Sequence, residues 1–124
     1  MSRYRIIYTD DEADIREIAG LALEIDPEFE VQTCDSGEAA LALAARWQPH
    51  LILLDYMMPG LDGPQTLRRL RETPEGRHLP VAFVTARVQT YDVAKLFALG
   101  ASGIVPKPFD VMTLAATVRK FLPA

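Results

Sequence analysis

The sequence predicts an α/β domain, a doubly wound five-stranded parallel sheet with helices on both faces. Three observations predict it. Short apolar runs and amphipathic stretches alternate strictly along the chain. The central runs, Leu51-Ile52-Leu53-Leu54 and Val81-Ala82-Phe83-Val84, are apolar without alternation, as strands covered on both faces are. No linker, internal repeat or low-complexity stretch divides the 124 residues, so a single domain over residues 1–124 is expected.

The strands read as Tyr4–Thr9, Phe29–Cys34, Leu51–Asp55, Val81–Thr85 and Gly103–Pro106. The first helix is expected over Ala13–Ile25, with Ile15, Ile18, Ala22 and Ile25 on one face. The second starts after Asp35-Ser36, where Asp35 and Glu38 have capping-box spacing, and ends near Arg46. The third follows Asp62-Gly63, with Pro64 suited to the first turn and Leu67 and Leu70 facing inward. The fourth covers Tyr91–Leu99 and is stopped by Gly100. The fifth opens at Asp110 as N-cap and carries Leu114, Val118 and Leu122 at i, i+4 and i+8. Such β–α units cross over right-handedly, and ligands sit at the carboxyl ends of the strands, where strand order reverses.

Composition narrows the function. The chain is 49% hydrophobic and 24% charged, which is ordinary globular composition. A net charge of −4 argues against direct nucleic-acid binding. The one basic cluster, Arg68-Arg69 with Arg71, reads as a solvated helix face. The single Cys34 offers no disulfide framework and reads as a small buried residue in a reducing, cytoplasmic setting. Nowhere do about 18 apolar residues run together, so no membrane span is expected. His50 and His78 lie in loops near prolines and read as solvated.

Chemistry concentrates at the strand ends. The first strand runs into Thr9-Asp10-Asp11-Glu12, the third ends in Asp55, the fourth in Val84-Thr85-Ala86, and Lys107-Pro108-Phe109 follows the fifth. Asp10, Asp11 and Asp55 are expected to converge, with Lys107 and the Thr85 hydroxyl approaching from the other side. At about 4 Å and an effective dielectric near 20, each carboxylate pair costs about 4 kcal/mol. A proton with a raised pKa or a divalent cation would offset this, and a hard oxygen-seeking ion such as Mg²⁺ fits best. A carboxylate beside such an ion, a lysine and a hydroxyl is arranged to attack or hold a phosphoryl group, with Asp55 as nucleophile. Each piece alone has a structural explanation: an acidic helix start, a turn former, a solvated lysine, a helix cap. Their ordered occurrence at successive strand ends favours the chemical reading.

On these residues the chain resembles a response-regulator receiver domain of two-component signalling, of the single-domain, chemotaxis-regulator-like kind. The matching segments are Ile6 to Glu12, Leu51 to Gly63 with Asp55-Tyr56-Met57-Met58-Pro59-Gly60, Val84-Thr85-Ala86, and Gly100 through Lys107-Pro108-Phe109. The resemblance implies a flavodoxin-like strand order 2-1-3-4-5. It implies that Asp55 is the phosphoacceptor, loaded from a sensor histidine kinase or a histidine phosphotransfer protein. It further implies Asp11, Asp55 and the Met57 main-chain carbonyl as direct Mg²⁺ ligands, and Asp10 acting mainly through water. Thr85 would hydrogen-bond a phosphoryl oxygen and Lys107 would pair with its charge, helped by a cis Lys107–Pro108 bond. Such a domain is a switch acting on a downstream target protein rather than an enzyme with a free substrate. The chain departs from the family at Ile104, where receivers often carry an inward-turning Tyr or Phe. Met57 and Arg87 occupy positions that influence the lifetime of the phosphoryl group, and an apolar Met57 implies slow self-hydrolysis.

Alternative readings are a non-phosphorylated pseudo-receiver, the receiver portion of a longer regulator, or a Mg²⁺ phosphatase of the haloacid-dehalogenase type. A pseudo-receiver would lack one of Asp11, Asp55, Thr85 or Lys107. The phosphatase needs an Asp where Met57 stands. A flavodoxin wants a hydroxyl-rich loop in place of Asp10-Asp11-Glu12, and a dinucleotide site wants G-x-G-x-x-G after the first strand.

Overall fold

Burial on both sides of the sheet explains why uniformly apolar runs become strands. The computed structural model describes residues 3–86 and 89–123. In chain order the elements are β1 (Tyr4–Thr9), α1 (Ala13–Leu23), β2 (Phe29–Cys34), α2 (Gly37–Trp47), β3 (Leu51–Asp55), α3 (Gly63–Arg71), β4 (Val81–Thr85), α4 (Thr90–Ala98), β5 (Gly103–Pro106) and α5 (Leu114–Arg119). All strand pairs are parallel, in the order β2-β1-β3-β4-β5. That is the expected order.

Alternate residues of each strand enter different cores. Ile6, Tyr8, Leu51, Leu53 and Val84 pack with Ala19, Leu23, Leu114 and Val118 of α1 and α5. Ile7, Ile52, Leu54, Val81 and Phe83 pack with Ala40, Leu43, Leu67, Leu70 and Leu96 of α2, α3 and α4. Every residue of β3 and β4 is therefore buried, and each fully buried Leu or Ile contributes about 1.5–3 kcal/mol. The edge strand β2 leaves Glu30, Gln32 and Thr33 exposed. Among the described residues no helix is long and apolar enough to cross a membrane.

Local expectations need correction where side-chain packing competes with pattern. Helix α1 ends at Leu23, so Ile25 falls beyond it. Of the expected face Ala22 is buried and Ile15 packs on the core, Ile18 and Ile25 are exposed, and Ala19, Gly20 and Leu23 complete the buried side. The small residues Ala19, Gly20 and Ala22 let the helix approach the sheet, and Ile18 turns outward. The N-cap of α2 is Ser36, not Asp35: its Oγ accepts from the Ala39 N–H at 3.1 Å, which leaves Glu38 one position short of closing a capping box. By contrast Asp62 and Gln65 form both bonds of a capping box on α3. Helix α4 begins and ends one residue earlier than expected. Helix α5 starts a turn late, because Asp110 organises a preceding turn by accepting from the Met112 N–H (2.8 Å), Thr113 N–H (3.2 Å) and Leu114 N–H (3.0 Å).

Arg71 is not a solvated face residue. Its guanidinium donates to the carbonyls of Gly76 and Leu79 (2.7 Å each) and of Gly100 (3.3 Å), tying the end of α3 to the turns before β4 and β5. His78 is exposed. His50 is exposed too, yet its Nδ1 accepts from the Arg5 N–H at 3.0 Å. Cys34 is buried, and burial pushes its thiol up to about 11.

Candidate functional site

Asp10 directly follows β1 and Asp55 closes β3, neighbouring strands at the point where the strand order reverses. The register sets Thr9 beside Leu54, so the two carboxylates leave the sheet side by side. One carboxylate oxygen from each of Asp10, Asp11 and Asp55 lies within 4.8 Å of the others. Asp10 and Asp55 are buried and Asp11 is exposed. At this spacing each pair repels by about 3–4 kcal/mol at an effective dielectric near 20.

Lys107 answers part of that charge. Its Nζ donates to Asp10 Oδ2 at 2.9 Å and to Asp55 Oδ2 at 3.1 Å. The Lys107–Pro108 peptide bond is cis. The Lys107 main-chain N–H donates to the carbonyl of Thr85 at 2.9 Å, which ties the end of β5 to the buried end of β4. Burial raises the Asp55 carboxyl from its ordinary 3.8 to about 6, and the charge of Asp10 adds to this. Lys107 and the Met57 main-chain N–H, both donating to Asp55, oppose the rise. Burial alone would lower the Lys107 ammonium, but its bonds to Asp10 and Asp55 prevail and hold it above its usual range.

The loop after Asp55 is fixed by close packing. The Gly63 N–H donates to the Tyr56 carbonyl at 3.0 Å. A Cβ on Gly63 would stand 2.7 Å from the Asp55 carbonyl oxygen, so only glycine lets α3 begin this near. Between loop and strand ends lies a cleft of about 250 Å³ lined by Glu12, Asp55, Tyr56, Met57, Thr85, Ala86 and Lys107. The Met57 side chain is 72% exposed at its edge. Arg87 lies outside the described residues.

This donor set fits a hard divalent cation. Three carboxylates converge on a cleft open to solvent, and one ammonium leaves their negative charge only partly balanced. Two neighbours of Asp10 escaped the sequence reading. The Tyr8 phenol donates to Asp10 Oδ2 at 3.3 Å, and Arg16 donates to the Asp10 carbonyl at 2.9 Å. The available signal for Tyr8 was a phenol two residues before Asp10 in an otherwise aliphatic core strand. Arg16 stands within the first turn of α1 and carries no comparable signal.

Comparison with known proteins agrees with this fold. Residues 6–119 match the response regulator receiver domain family. The response regulator PleD of Caulobacter vibrioides is 44% identical over 117 residues, covering 93% of this chain and 25% of that protein. The DNA-binding dual master transcriptional regulator RpaA of Synechocystis sp. is 37% identical over 118 residues, 95% of this chain and 48% of that protein. The chain thus spans half or less of the length of these relatives. Among solved structures, the chemotaxis protein CheY4 of Vibrio cholerae superposes with a TM-score of 0.88 at 27% identity, covering 98% of this chain and 100% of that one. A putative response regulator from Chloroflexus aurantiacus gives 0.86 at 28% identity, covering 97% and 98%. Matched in sequence over nearly its whole length and in fold throughout, this chain belongs to the response regulator receiver domain family.

Proposed function

We propose that Asp55 accepts a phosphoryl group from a phosphohistidine of a sensor histidine kinase or histidine phosphotransfer protein, and that the chain acts in the cytoplasm as a single switch domain. The observation that supports this most is the joint convergence of Asp10, Asp11, Asp55 and Lys107 at the reversal of strand order. In the transfer an Asp55 oxygen bonds to phosphorus as the phosphorus–nitrogen bond of the donor breaks, its electron pair returning to the imidazole. Asp11, Asp55 and the Met57 main-chain carbonyl would hold Mg²⁺ directly and Asp10 through water, and the ion would supply positive charge at the cleft where the phosphoryl oxygens arrive. Lys107 leaves the Asp55 carboxylate to pair with the phosphoryl group, and the Thr85 hydroxyl hydrogen-bonds one of its oxygens. Met57 presents no group that orients an attacking water, which favours a long-lived acyl phosphate.

The readout we propose is a change of packing on the face formed by α4, β5 and α5, which are tied to Thr85 and Lys107. Ile104 is half-buried and packs in the same core as Phe83 and Leu96, so an aliphatic shift replaces an aromatic swing. Tyr91, Phe97 and Met112 stand exposed on or beside this face, as a surface for a downstream protein requires. Intact mass measured with acetyl phosphate, with and without Mg²⁺, tests the acceptor. One added phosphoryl group on the parent and none on Asp55→Asn is expected; equal labelling of both would refute the assignment.

A further inference from the structure

Asp10 is 0% exposed, so its carboxylate depends on the donors that the protein provides. Oδ1 accepts from the Glu12 N–H at 3.0 Å. Oδ2 accepts from Lys107 Nζ at 2.9 Å and from the Tyr8 phenol at 3.3 Å. The second donor is unusual for its place. Tyr8 is fully buried among Ile6, Leu53 and Val84, where an aliphatic side chain would pack without a polar atom to satisfy.

We propose that Tyr8 is a positioning residue that holds Asp10 Oδ2 when Lys107 leaves it for the phosphoryl group. The inference rests on Asp55 being the phosphoacceptor. Before loading, the lysine cross-links Asp10 and Asp55 through Oδ2 of each. After loading, the same ammonium faces phosphoryl oxygens, and Oδ2 of Asp10 loses its nearest protein donor. The phenol is the remaining side-chain donor on that oxygen among the described residues. A tyrosine hydroxyl carries its proton at neutral pH, so the phenol can donate to Asp10 Oδ2.

The ring is also backed by the loop that carries the lysine. Phe109, two residues after Lys107, meets Tyr8 edge-on with ring centroids 6.3 Å apart. Movement of Lys107 and the placement of the Tyr8 hydroxyl are therefore coupled through one short segment, and the loaded state needs the Tyr8 bond more than the unloaded state does.

Tyr8→Phe keeps the ring and its contact with Phe109 and removes only the hydroxyl. Two measurements on the purified chain separate positioning from packing: thermal unfolding without Mg²⁺, and the beryllofluoride concentration needed for half-saturation at fixed Mg²⁺. We expect little change in the first and a rise of about tenfold in the second, the order of one hydrogen bond to a charged group. A merely structural role would lower the unfolding temperature and leave beryllofluoride affinity intact, and that result would overturn the proposal. Beryllofluoride binding by the parent that Asp55→Asn abolishes keeps the acceptor reading standing whatever Tyr8→Phe does; no binding by the parent overturns both. A second measurement needs no altered Tyr8. Of the four tyrosines labelled with 3-fluorotyrosine, assigned by replacing Tyr4, Tyr56 and Tyr91 in turn, the Tyr8 fluorine signal must shift when Mg²⁺ and beryllofluoride are added. A Tyr8 signal that does not move would overturn the proposal.

Discussion

The Lys107 ammonium stands 3.1 Å from Asp55 Oδ2, in the cleft where a metal ion and a phosphoryl group would carry the site's positive and negative charge. The lysine is thus an internal counter-ion, and Mg²⁺ bound by the same carboxylates would have to compete with it. Removing it cuts both ways. Lys107→Met should destabilise the metal-free protein, because two buried carboxylates lose their shared partner. The same change should tighten Mg²⁺ binding by roughly fivefold, since one repelling charge is gone. Calorimetric titration checks the second effect; weaker Mg²⁺ binding by Lys107→Met would mean that the lysine helps to hold the metal site rather than competing with it.

Asp55 also gives the metal-free protein a pH signature. The native carboxyl titrates near 6 and the unfolded one near its ordinary 3.8. Between those values the native state binds more protons than the unfolded state, so stability from this group is full below about pH 4 and is lost as pH rises through about 6. Asp55→Asn removes the titration. Solvent screening at the cleft limits the gain at pH 7 to about 1–2 kcal/mol for the variant without Mg²⁺. Urea unfolding of both proteins across pH 4 to 8 tests this, and parallel curves would contradict a raised Asp55.

Most of this fold was legible because it depends on pattern. Leu51 to Leu54 and Val81 to Val84 lack alternation for the reason that both faces are covered, and nothing distant needs to be known to read that. Asp10, Asp55 and Lys107 were legible as strand-end residues of a parallel sheet. Partners set by packing were not. The Tyr8 bond depends on a strand residue whose polar tip reaches one pleat along the chain, and the Arg71 bonds depend on carbonyls exposed by two distant turns. Ile18 misled because apolar periodicity in α1 fits two adjacent stripes, and the small residues Ala19 and Gly20 decide which one meets the sheet; Ile25 lies past the end of the helix.

Mg²⁺ should raise thermal stability by mass action, and Asp11→Ala should remove most of that gain. Asp11 is exposed, so its loss leaves the core intact and isolates the metal term. Trp47 is a poor reporter of this binding. It sits at the end of α2, with Arg5 of β1 donating to its carbonyl at 2.6 Å and covering its ring, at the opposite end of the sheet from Asp10. Calorimetry or scanning fluorimetry with an added dye is the suitable measurement. A Mg²⁺-dependent rise in melting temperature that persists fully in Asp11→Ala would place the ion elsewhere.

Thr9 offers a stability test beside the site. It is fully buried at the end of β1, and its Oγ1 has no hydrogen-bond partner, the one such side-chain atom among the described residues. A buried hydroxyl without a partner loses its bonds to water and gains none, a cost of about 1–3 kcal/mol. Thr9→Val replaces the hydroxyl with a methyl group of similar size and keeps the β-branch that suits a strand. Stability should rise by about 1 kcal/mol, or about 3–5 °C in melting temperature for a domain of this size. Thr9→Ser is the control: it keeps the hydroxyl, loses the methyl and should be less stable than the parent. If Thr9→Val melts at or below the parent temperature, the Thr9 hydroxyl is not an uncompensated cost in the native protein.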